Sequence, residues 1–210
     1  MTAIVLLTKA PRPGSVKTRL CPPLSLAAAA RLAEASIADT MEVIDQIEWS
    51  ACVLAIDKPN SHWMRPGWFQ IRQPHGGLDV RIGDVLERAA VIASGKPVLL
   101  IGMDTPHLQV DDLQATRDLL DTHDAVIGPA DDGGFWALGM RVADRRLVAG
   151  VAMSTARTGG DQLKRMRAAG LSVAVAPRYR DIDTIEDALA ASLVAPTRRF
   201  AAALQPELGA

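Results

Sequence analysis

The feature that most constrains this fold is an alternation of short apolar runs with longer amphipathic stretches along 210 residues. The short runs, rich in Val, Leu and Ile, predict strands at Ala3–Leu7, Ala51–Ile56, Val98–Ile101, Ala125–Ile127, Phe135–Gly139 and Ser172–Ala176. The longer stretches predict helices at Leu26–Gln46, Asp79–Ser94, Asp111–Thr122, Gly160–Ala169 and Ile185–Leu204. Strands that alternate with helices build βαβ units, so the sequence predicts an α/β protein with a mainly parallel sheet.

No linker or internal repeat divides this pattern. We therefore expect one domain over residues 1–195, with residues 196–210 as the end of a C-terminal helix and a tail. The segment Pro59–Pro74 carries two tryptophans among prolines and is expected to be an irregular insertion. Aromatic residues make up only 4% of the chain, so Ala, Val, Leu and Ile must fill the core between helices and sheet.

Composition and charge argue against several classes of protein. The chain has 23 Lys and Arg against 24 Asp and Glu, and this balance gives no electrostatic basis for binding nucleic acid. Cys21 and Cys52 form no metal-binding spacing, and the four histidines are scattered. The apolar run Ile4–Leu7 is too short for a signal sequence or a membrane span. These features predict a cytoplasmic protein that binds neither nucleic acid nor membrane.

A cationic loop follows the first predicted strand, in the sequence KAPRPGSVKTRL from Lys9 to Leu20. Two prolines and a glycine prevent a helix here, so backbone N–H groups can point into a concavity. Convergent cations and free N–H groups suit a di- or triphosphate. We expect nucleotide binding by Lys9, Arg12, Gly14, Lys17 and Arg19. The alternative is an exposed basic loop without a ligand, since neither the P-loop nor the G-x-G-x-x-G fingerprint is present.

Two aspartates occupy positions suited to a metal. Asp104 ends an apolar strand just before Pro106, and Asp183 follows the last predicted strand. Carboxylates beyond the carboxyl ends of parallel strands can hold Mg²⁺ or Mn²⁺ against phosphate oxygens. The alternatives are a turn or capping role for Asp104, and capping of the last helix by Asp183 or Thr184.

A third polar segment, Gly128–Gly139, combines two acids and two glycines with Phe135 and Trp136. The acids can accept from hydroxyl groups, and the glycines can let a substrate approach the backbone closely. The aromatic residues can wall an apolar or sugar-ring pocket. We expect substrate binding by Asp131, Asp132, Gly133, Gly134 and Trp136. The alternative is a hairpin turn that leads into a core strand.

Five runs, taken in chain order over residues 3–190, resemble the radical-SAM/selenodomain-associated transferases: KAPRPGSVKTRL, GMDTP, GPADDGGFWALG, VAMST and DIDTIED. That family is related to 2-phospholactate guanylyltransferases and to GT-A glycosyltransferases. The resemblance implies a Rossmann-like three-layer sandwich with a mostly parallel sheet, the GT-A or nucleotide-diphospho-sugar transferase fold. It also implies that the first loop binds nucleotide phosphates, with Asp104 as principal metal ligand and Asp183 as the second. The chain departs from the family at Asp79, where relatives carry a glycine in a Leu-Gly-x-Arg element.

The leading functional hypothesis is a nucleotidyltransferase that depends on Mg²⁺ or Mn²⁺. A phosphorylated or carboxylated small acceptor attacks the α-phosphate of a nucleoside triphosphate and releases pyrophosphate, with Lys17, Arg19 and Asp104 as catalytic groups. One alternative is a GT-A glycosyltransferase that uses a nucleoside-diphosphate sugar, although no D-x-D motif follows the third predicted strand. Another is a non-catalytic nucleotide sensor. The expected partners are small molecules, and a homodimer is a candidate assembly.

Overall fold

The computed structural model describes residues 1–208, so residues 209 and 210 of the expected tail lie outside the described residues. One sheet contains the strands β1 (Ala3–Thr8), β2 (Cys52–Ile56), β3 (Trp68–Arg72), β4 (Val98–Gly102), β5 (Ala125–Pro129), β6 (Phe135–Met140) and β7 (Val173–Val175). The α-helices of the described chain are α1 (Leu26–Asp45), α2 (Leu78–Ile92), α3 (Val110–Asp118), α4 (Thr158–Ala168), α5 (Ile185–Val194) and α6 (Arg199–Leu208).

The strands lie in the order β3-β2-β1-β4-β6-β5-β7. Strand β6 runs antiparallel to its neighbours β4 and β5, and the other pairings in the described chain are parallel. The carboxyl ends of the parallel strands therefore meet at one edge of the sheet, where the loops that follow them collect. The predicted α/β fold with a mostly parallel sheet is confirmed.

Helices cover both faces of this sheet. In β1, Ile4 and Leu6 face a core shared with α1, whereas Ala3 and Val5 face a core shared with α2. A strand that is buried on both faces needs an apolar residue at every position. This requirement explains why the inner strands are continuous apolar runs in the sequence. A third core, which includes Phe200, lies where α5 and α6 pack with α1.

The segment expected to be an irregular insertion contains β3, so that expectation is wrong for residues 68–72. In the described chain β3 is an edge strand that pairs with β2. Only Trp68 and Ile71 of this strand are buried. An edge strand that is half exposed lacks the continuous apolar run by which the inner strands were recognised.

The single helix expected over residues 185–204 is divided into α5 and α6 at Pro196. A proline ring has no N–H to donate, and it disfavours helical geometry in the preceding residue. The carboxylate of Asp39, which is 2% exposed, then accepts from the N–H groups of Arg199 and Phe200 at 3.2 and 2.8 Å. This contact fixes the start of α6 against α1. None of the described helices combines the length and apolarity that a membrane span requires.

Candidate functional site

A cleft of about 610 Å³ lies at the carboxyl edge of the sheet. Its lining comes from the loops after β1 and β4, the start of α2, the β5–β6 turn, and the segments 153–158 and 181–183. The cationic loop, the segment that contains Asp104 and the segment Gly128–Gly139 therefore all contribute residues to one cleft. They meet because each follows a strand whose carboxyl end lies at this edge.

Lys17 fixes the cationic loop to the rest of the cleft. Its side chain is 6% exposed, and its Nζ atom lies 2.5 Å from Oδ1 of Asp104 and 2.5 Å from the carbonyl oxygen of Ile182. The backbone of Lys17 is in the left-handed region, with φ of 50°. Such a conformation is costly for a residue with a side chain and persists only where surrounding contacts impose it. The loop thus holds one buried cation at the end of β4.

Other contacts shape the loop around Lys17. The N–H of Ala10 donates to Oδ1 of Asp57 at 2.7 Å, which ties the start of the loop to the end of β2. Arg19 pairs with Asp183 at 2.6 Å. Lys9 also lines the cleft, whereas Arg12 and Gly14 lie outside the lining. Gly14 has φ of +76°, so its part is to turn the chain.

Three carboxylates converge in the cleft, next to the cationic loop. Oxygen atoms of Asp132, Asp181 and Asp183 lie within 4.8 Å of one another. Burial, followed by the negative charges of Asp132, Asp183 and Asp104, raises the pKa of Asp181 to about 6. Like charges held this close together destabilise their ionised forms unless a cation is shared among them.

These residues fit a divalent cation. Mg²⁺ and Mn²⁺ prefer carboxylate oxygens, and an octahedral ion with ligands at about 2.1 Å places those oxygens about 3 to 4 Å apart. The sequence predicted Asp104 and Asp183 as metal ligands. Asp183 lies with Asp132 and Asp181, while Asp104 pairs with Lys17. Asp104 is nevertheless near enough for its charge to act on Asp181.

Sequence reasoning passed over Asp181 as a metal-site residue. The signal was the spacing Asp181-Ile-Asp183, because alternate residues of an extended segment point to the same side. The segment after β7 reaches the cleft because Ile182 is buried in the core beside α5 and donates its N–H to the carbonyl oxygen of Asp104 at 3.0 Å. Thr184 is the N-cap of α5 in a capping box with Asp187, so Asp183 is not required as the cap.

The acids and glycines of the third segment form the turn between the antiparallel strands β5 and β6. Asp131 lies outside the cleft lining, 3.7 Å from the guanidinium of Arg180. Asp132 lines the cleft, and its Oδ1 accepts from the N–H of Gly134 at 2.6 Å. Of the two acids, therefore, only Asp132 can reach a ligand in this cleft.

The glycines of this turn serve close packing between two loops. A Cβ atom on Gly133, whose φ is +88°, would lie 2.1 Å from the carbonyl oxygen of Ala156. A Cβ atom on Gly159 would lie 2.4 Å from the carbonyl oxygen of Gly134. The space beside Gly133, where a substrate was expected to approach, is therefore filled by the backbone of segment 153–158. Trp136 borders the cleft but is buried in the core, 3% exposed, and its indole N–H donates to the carbonyl oxygen of Pro177 at 2.9 Å.

Two further residues line the cleft beside α2. The side-chain amide of Gln73 donates to the carbonyl oxygens of Thr8 and Ala55 at 2.6 and 2.8 Å, and its oxygen accepts from Arg81 at 3.1 Å. The Nε atom of Arg81 is buried with no hydrogen-bond partner in the described chain. A buried donor without a partner costs stability, so Arg81 has capacity left for a ligand.

Three solved structures share this fold. A protein of Desulfovibrio desulfuricans G20, provisionally described as a nucleotide-diphospho-sugar transferase, is 24% identical with a TM-score of 0.88, over 100% of this chain and 96% of that one. The 4-diphosphocytidyl-2C-methyl-D-erythritol synthase of Anaerococcus prevotii is 13% identical with a TM-score of 0.58, over 91% and 95% of the two chains. Rv0371c of Mycobacterium tuberculosis, crystallised with manganese, is 15% identical with a TM-score of 0.50, over 91% and 98%.

The sheet topology and the likeness to these structures thus define an α/β protein with the nucleotide-diphospho-sugar transferase fold. The chain belongs to the bacterial family described as "Uncharacterized protein conserved in bacteria (DUF2064)", whose profile matches residues 27–155. No curated protein matches the sequence. The family match includes Asp104 and the β5–β6 turn, whereas Lys17, Asp181 and Asp183 lie outside it.

Proposed function

We propose that this protein is a metal-dependent nucleotidyltransferase, which transfers a nucleoside monophosphate from a nucleoside triphosphate to a small acceptor. The observation that carries the proposal is that Lys17 and Arg19 line one cleft together with Asp132, Asp181 and Asp183, and that Arg19 pairs with Asp183. A triphosphate needs cations on more than one side, and a loop with fixed cations next to a carboxylate cluster supplies both kinds of contact.

Two sets of charged residues would act on a bound triphosphate: the cations of the loop after β1 and the carboxylates that would hold a metal. Lys17 and Arg19 are the groups that neutralise negative charge on the phosphates, with Lys9 in support. Asp132, Asp181 and Asp183 are the candidate metal ligands, and we include Asp104 because its charge already acts on Asp181. A Mg²⁺ or Mn²⁺ held there would supply further charge neutralisation at the phosphates.

The proposed reaction is an in-line displacement at phosphorus. A nucleophilic oxygen of the acceptor forms a bond to the α-phosphorus, and the bond from that phosphorus to the bridging oxygen breaks. Pyrophosphate leaves with the electron pair, and a proton on the nucleophile passes to solvent. The chain positions the reactants and neutralises charge, which is the main requirement of phosphoryl-type transfer.

The comparisons support the nucleotide part of this proposal. One protein of the same fold is named for a cytidine diphosphate-linked product, and another was crystallised with manganese. The motif resemblance to radical-SAM/selenodomain-associated transferases and 2-phospholactate guanylyltransferases points in the same direction. Neither comparison names the base or the acceptor of this chain, so both are matters for experiment.

A glycosyltransferase that uses a nucleoside-diphosphate sugar is the second candidate. The observation in its favour is that Asp181 and Asp183, which have D-x-D spacing late in the chain, reach the same edge as Asp104. The cationic loop favours the first candidate, because a triphosphate carries more negative charge than a sugar diphosphate.

Pyrophosphate release distinguishes these candidates. The protein is incubated with each nucleoside triphosphate, Mg²⁺ or Mn²⁺, and a panel of acceptors, and in parallel with nucleoside-diphosphate sugars. We expect metal-dependent pyrophosphate release that falls at least ~100-fold in Asp181→Asn. The matched control is Asp121→Asn, because Asp121 is an exposed carboxylate just before β5, at the opposite edge of the sheet. Transfer from a sugar nucleotide without pyrophosphate release would favour the glycosyltransferase, and nucleotide binding without turnover would indicate a sensor.

A further inference from the structure

The two walls of the cleft differ in charge. The cations that line it, Lys9, Lys17, Arg19 and Arg81, all lie on the loop after β1 or on α2. A second wall is built by the β5–β6 turn and the segment 153–158. In the described chain its lining residues include Asp132, Phe135 and Ser154 and no Lys or Arg.

Arginines near this wall make contacts outside the cleft lining. Arg178 donates to the carbonyl oxygen of Ala130 at 2.9 Å. Arg180 lies between Asp131 and Asp187, at 3.7 and 3.8 Å. The exposed side chain of Arg157 also lies outside the lining. Apart from Asp132, which is a candidate metal ligand, the residues by which this wall lines the cleft therefore present no charged side chain to an acceptor.

The wall is preformed and carries free hydroxyl groups. The loops that form it are locked together by the close packing of Gly133 against Ala156. Ser154 is exposed, lines the cleft, and holds a left-handed backbone with φ of 58°. A non-glycine residue in this region is strained, and such strain concentrates at ligand sites. At the floor, the hydroxyl of Thr105 is buried, lines the cleft and has no hydrogen-bond partner in the described chain.

This lining suits hydroxyl groups and ring C–H groups better than anions. Ser154 and Thr105 offer donors and acceptors, and the half-buried ring of Phe135 offers an apolar face on which a sugar ring packs. A second phosphate or a carboxylate on the acceptor would lie near the negative charge of the donor phosphates, and this wall supplies no Lys or Arg to compensate it. The charge distribution thus opposes the phosphorylated or carboxylated acceptor expected from the sequence.

We propose that the acceptor is an uncharged polyhydroxylated compound, such as a sugar or polyol, received on the wall that Phe135 and Ser154 line. This inference rests on the proposed nucleotidyl transfer and specifies its second substrate. An acceptor hydroxyl oxygen is then the nucleophile that bonds to the α-phosphorus, and its proton passes to solvent as pyrophosphate leaves.

Matched acceptors test the proposal with the full chain and the nucleoside triphosphate it binds. Glucose is compared with glucose 6-phosphate and glucuronate, and glycerol with glycerol 3-phosphate and glycerate, by pyrophosphate release. We expect kcat/KM to be at least ~10-fold higher for the uncharged member of a pair that is used. Preferential use of the charged members would overturn this inference alone. Pyrophosphate release from no acceptor would overturn the proposed function together with it.

A second test of the proposal adds a cation to this wall. Ser154→Lys is expected to shift the ratio of kcat/KM toward the phosphorylated acceptor by at least ~10-fold. Ser94→Lys is the matched control, because Ser94 is also an exposed serine with left-handed backbone, φ 55°, and lies after α2 at the opposite edge of the sheet. An equal shift in both variants, or none in Ser154→Lys, would contradict the assignment of the acceptor to this wall.

Discussion

The ammonium group of Lys17 forms one ion pair with Asp104 and one hydrogen bond with the carbonyl oxygen of Ile182, each at 2.5 Å. A single side chain thereby joins the loop after β1, the end of β4 and the segment after β7. The Lys17 side chain is 6% exposed, whereas that of Asp104 is 52% exposed. The cation is held in place while the carboxylate remains open to the cleft.

Replacing Lys17 with Met tests this arrangement. We expect the rate of pyrophosphate release to fall by ~10²–10³-fold, because a preorganised charge at the reacting phosphates is lost. The free energy of unfolding should fall by only about 1 kcal/mol, since the exposed Asp104 stays hydrated. Urea unfolding measures this second effect. The control is Lys96→Met, because Lys96 lies just before β4 at the opposite edge of the sheet. An undiminished rate of pyrophosphate release in Lys17→Met would contradict the catalytic role of Lys17.

Asp57 is predicted to position the cationic loop without touching the ligand. Its carboxylate accepts from the N–H of Ala10 at 2.7 Å, and Asp57 is not among the residues that line the cleft. In Asp57→Ala we expect the Kd for a nucleoside triphosphate to rise ~5- to 10-fold, because the loop loses a fixed contact. Asp57→Asn keeps an acceptor and should restore most of the affinity, as calorimetry can show. Equal affinities in wild type and Asp57→Ala would remove the positioning role.

The raised pKa of Asp181 predicts how stability and metal binding depend on pH. Because the folded-state pKa of about 6 exceeds the ordinary 3.8, the folded state favours the protonated form. The stability contributed by Asp181 is therefore present below pH 4 and is lost as the pH rises through 6. A divalent cation needs the ionised form, so its stabilising effect should grow over the same range.

Thermal unfolding with EDTA or Mn²⁺ measures this dependence. The increase in Tm on adding Mn²⁺ should be larger at pH 7.5 than at pH 5. In Asp181→Asn the position carries no charge at either pH, so most of this difference should disappear. A Mn²⁺ effect that is equal at the two pH values in the wild type would rule out Asp181 as part of the metal site.

Gly133 is predicted to be essential for the contact between the β5–β6 turn and segment 153–158. A Cβ atom there would lie 2.1 Å from the carbonyl oxygen of Ala156, and φ is +88°. Gly133→Ala should lower the free energy of unfolding by about 2 kcal/mol or more. Gly160→Ala, in the first turn of α4 with open space around it, should raise it by up to about 1 kcal/mol. Urea unfolding of the two variants measures both changes, and equal stabilities would show that the two loops are not locked together.

Much of the fold could be predicted because the inner strands and the long helices have characteristic residue patterns in the local sequence. Strands buried on both faces must be apolar throughout, and that requirement is visible in β1, β2 and β4 without knowledge of their neighbours. The edge strand β3 escaped this reasoning because Phe69 is half exposed and the other face is only partly covered. The division between α5 and α6 could have been predicted from Pro196, since proline disrupts a helix locally.

For the site, the sequence indicates which polar segments follow strands, and therefore which edge of the sheet carries the candidate functional residues. The side chains that meet there are known from the fold: Asp181 joins Asp132 and Asp183, Asp104 pairs with Lys17, and Asp131 lies outside the cleft. The physical reason is that these contacts depend on strand order and on the packing of α5 and α6. Lys17 and Ile182, in hydrogen-bond contact, are 165 residues apart in the chain.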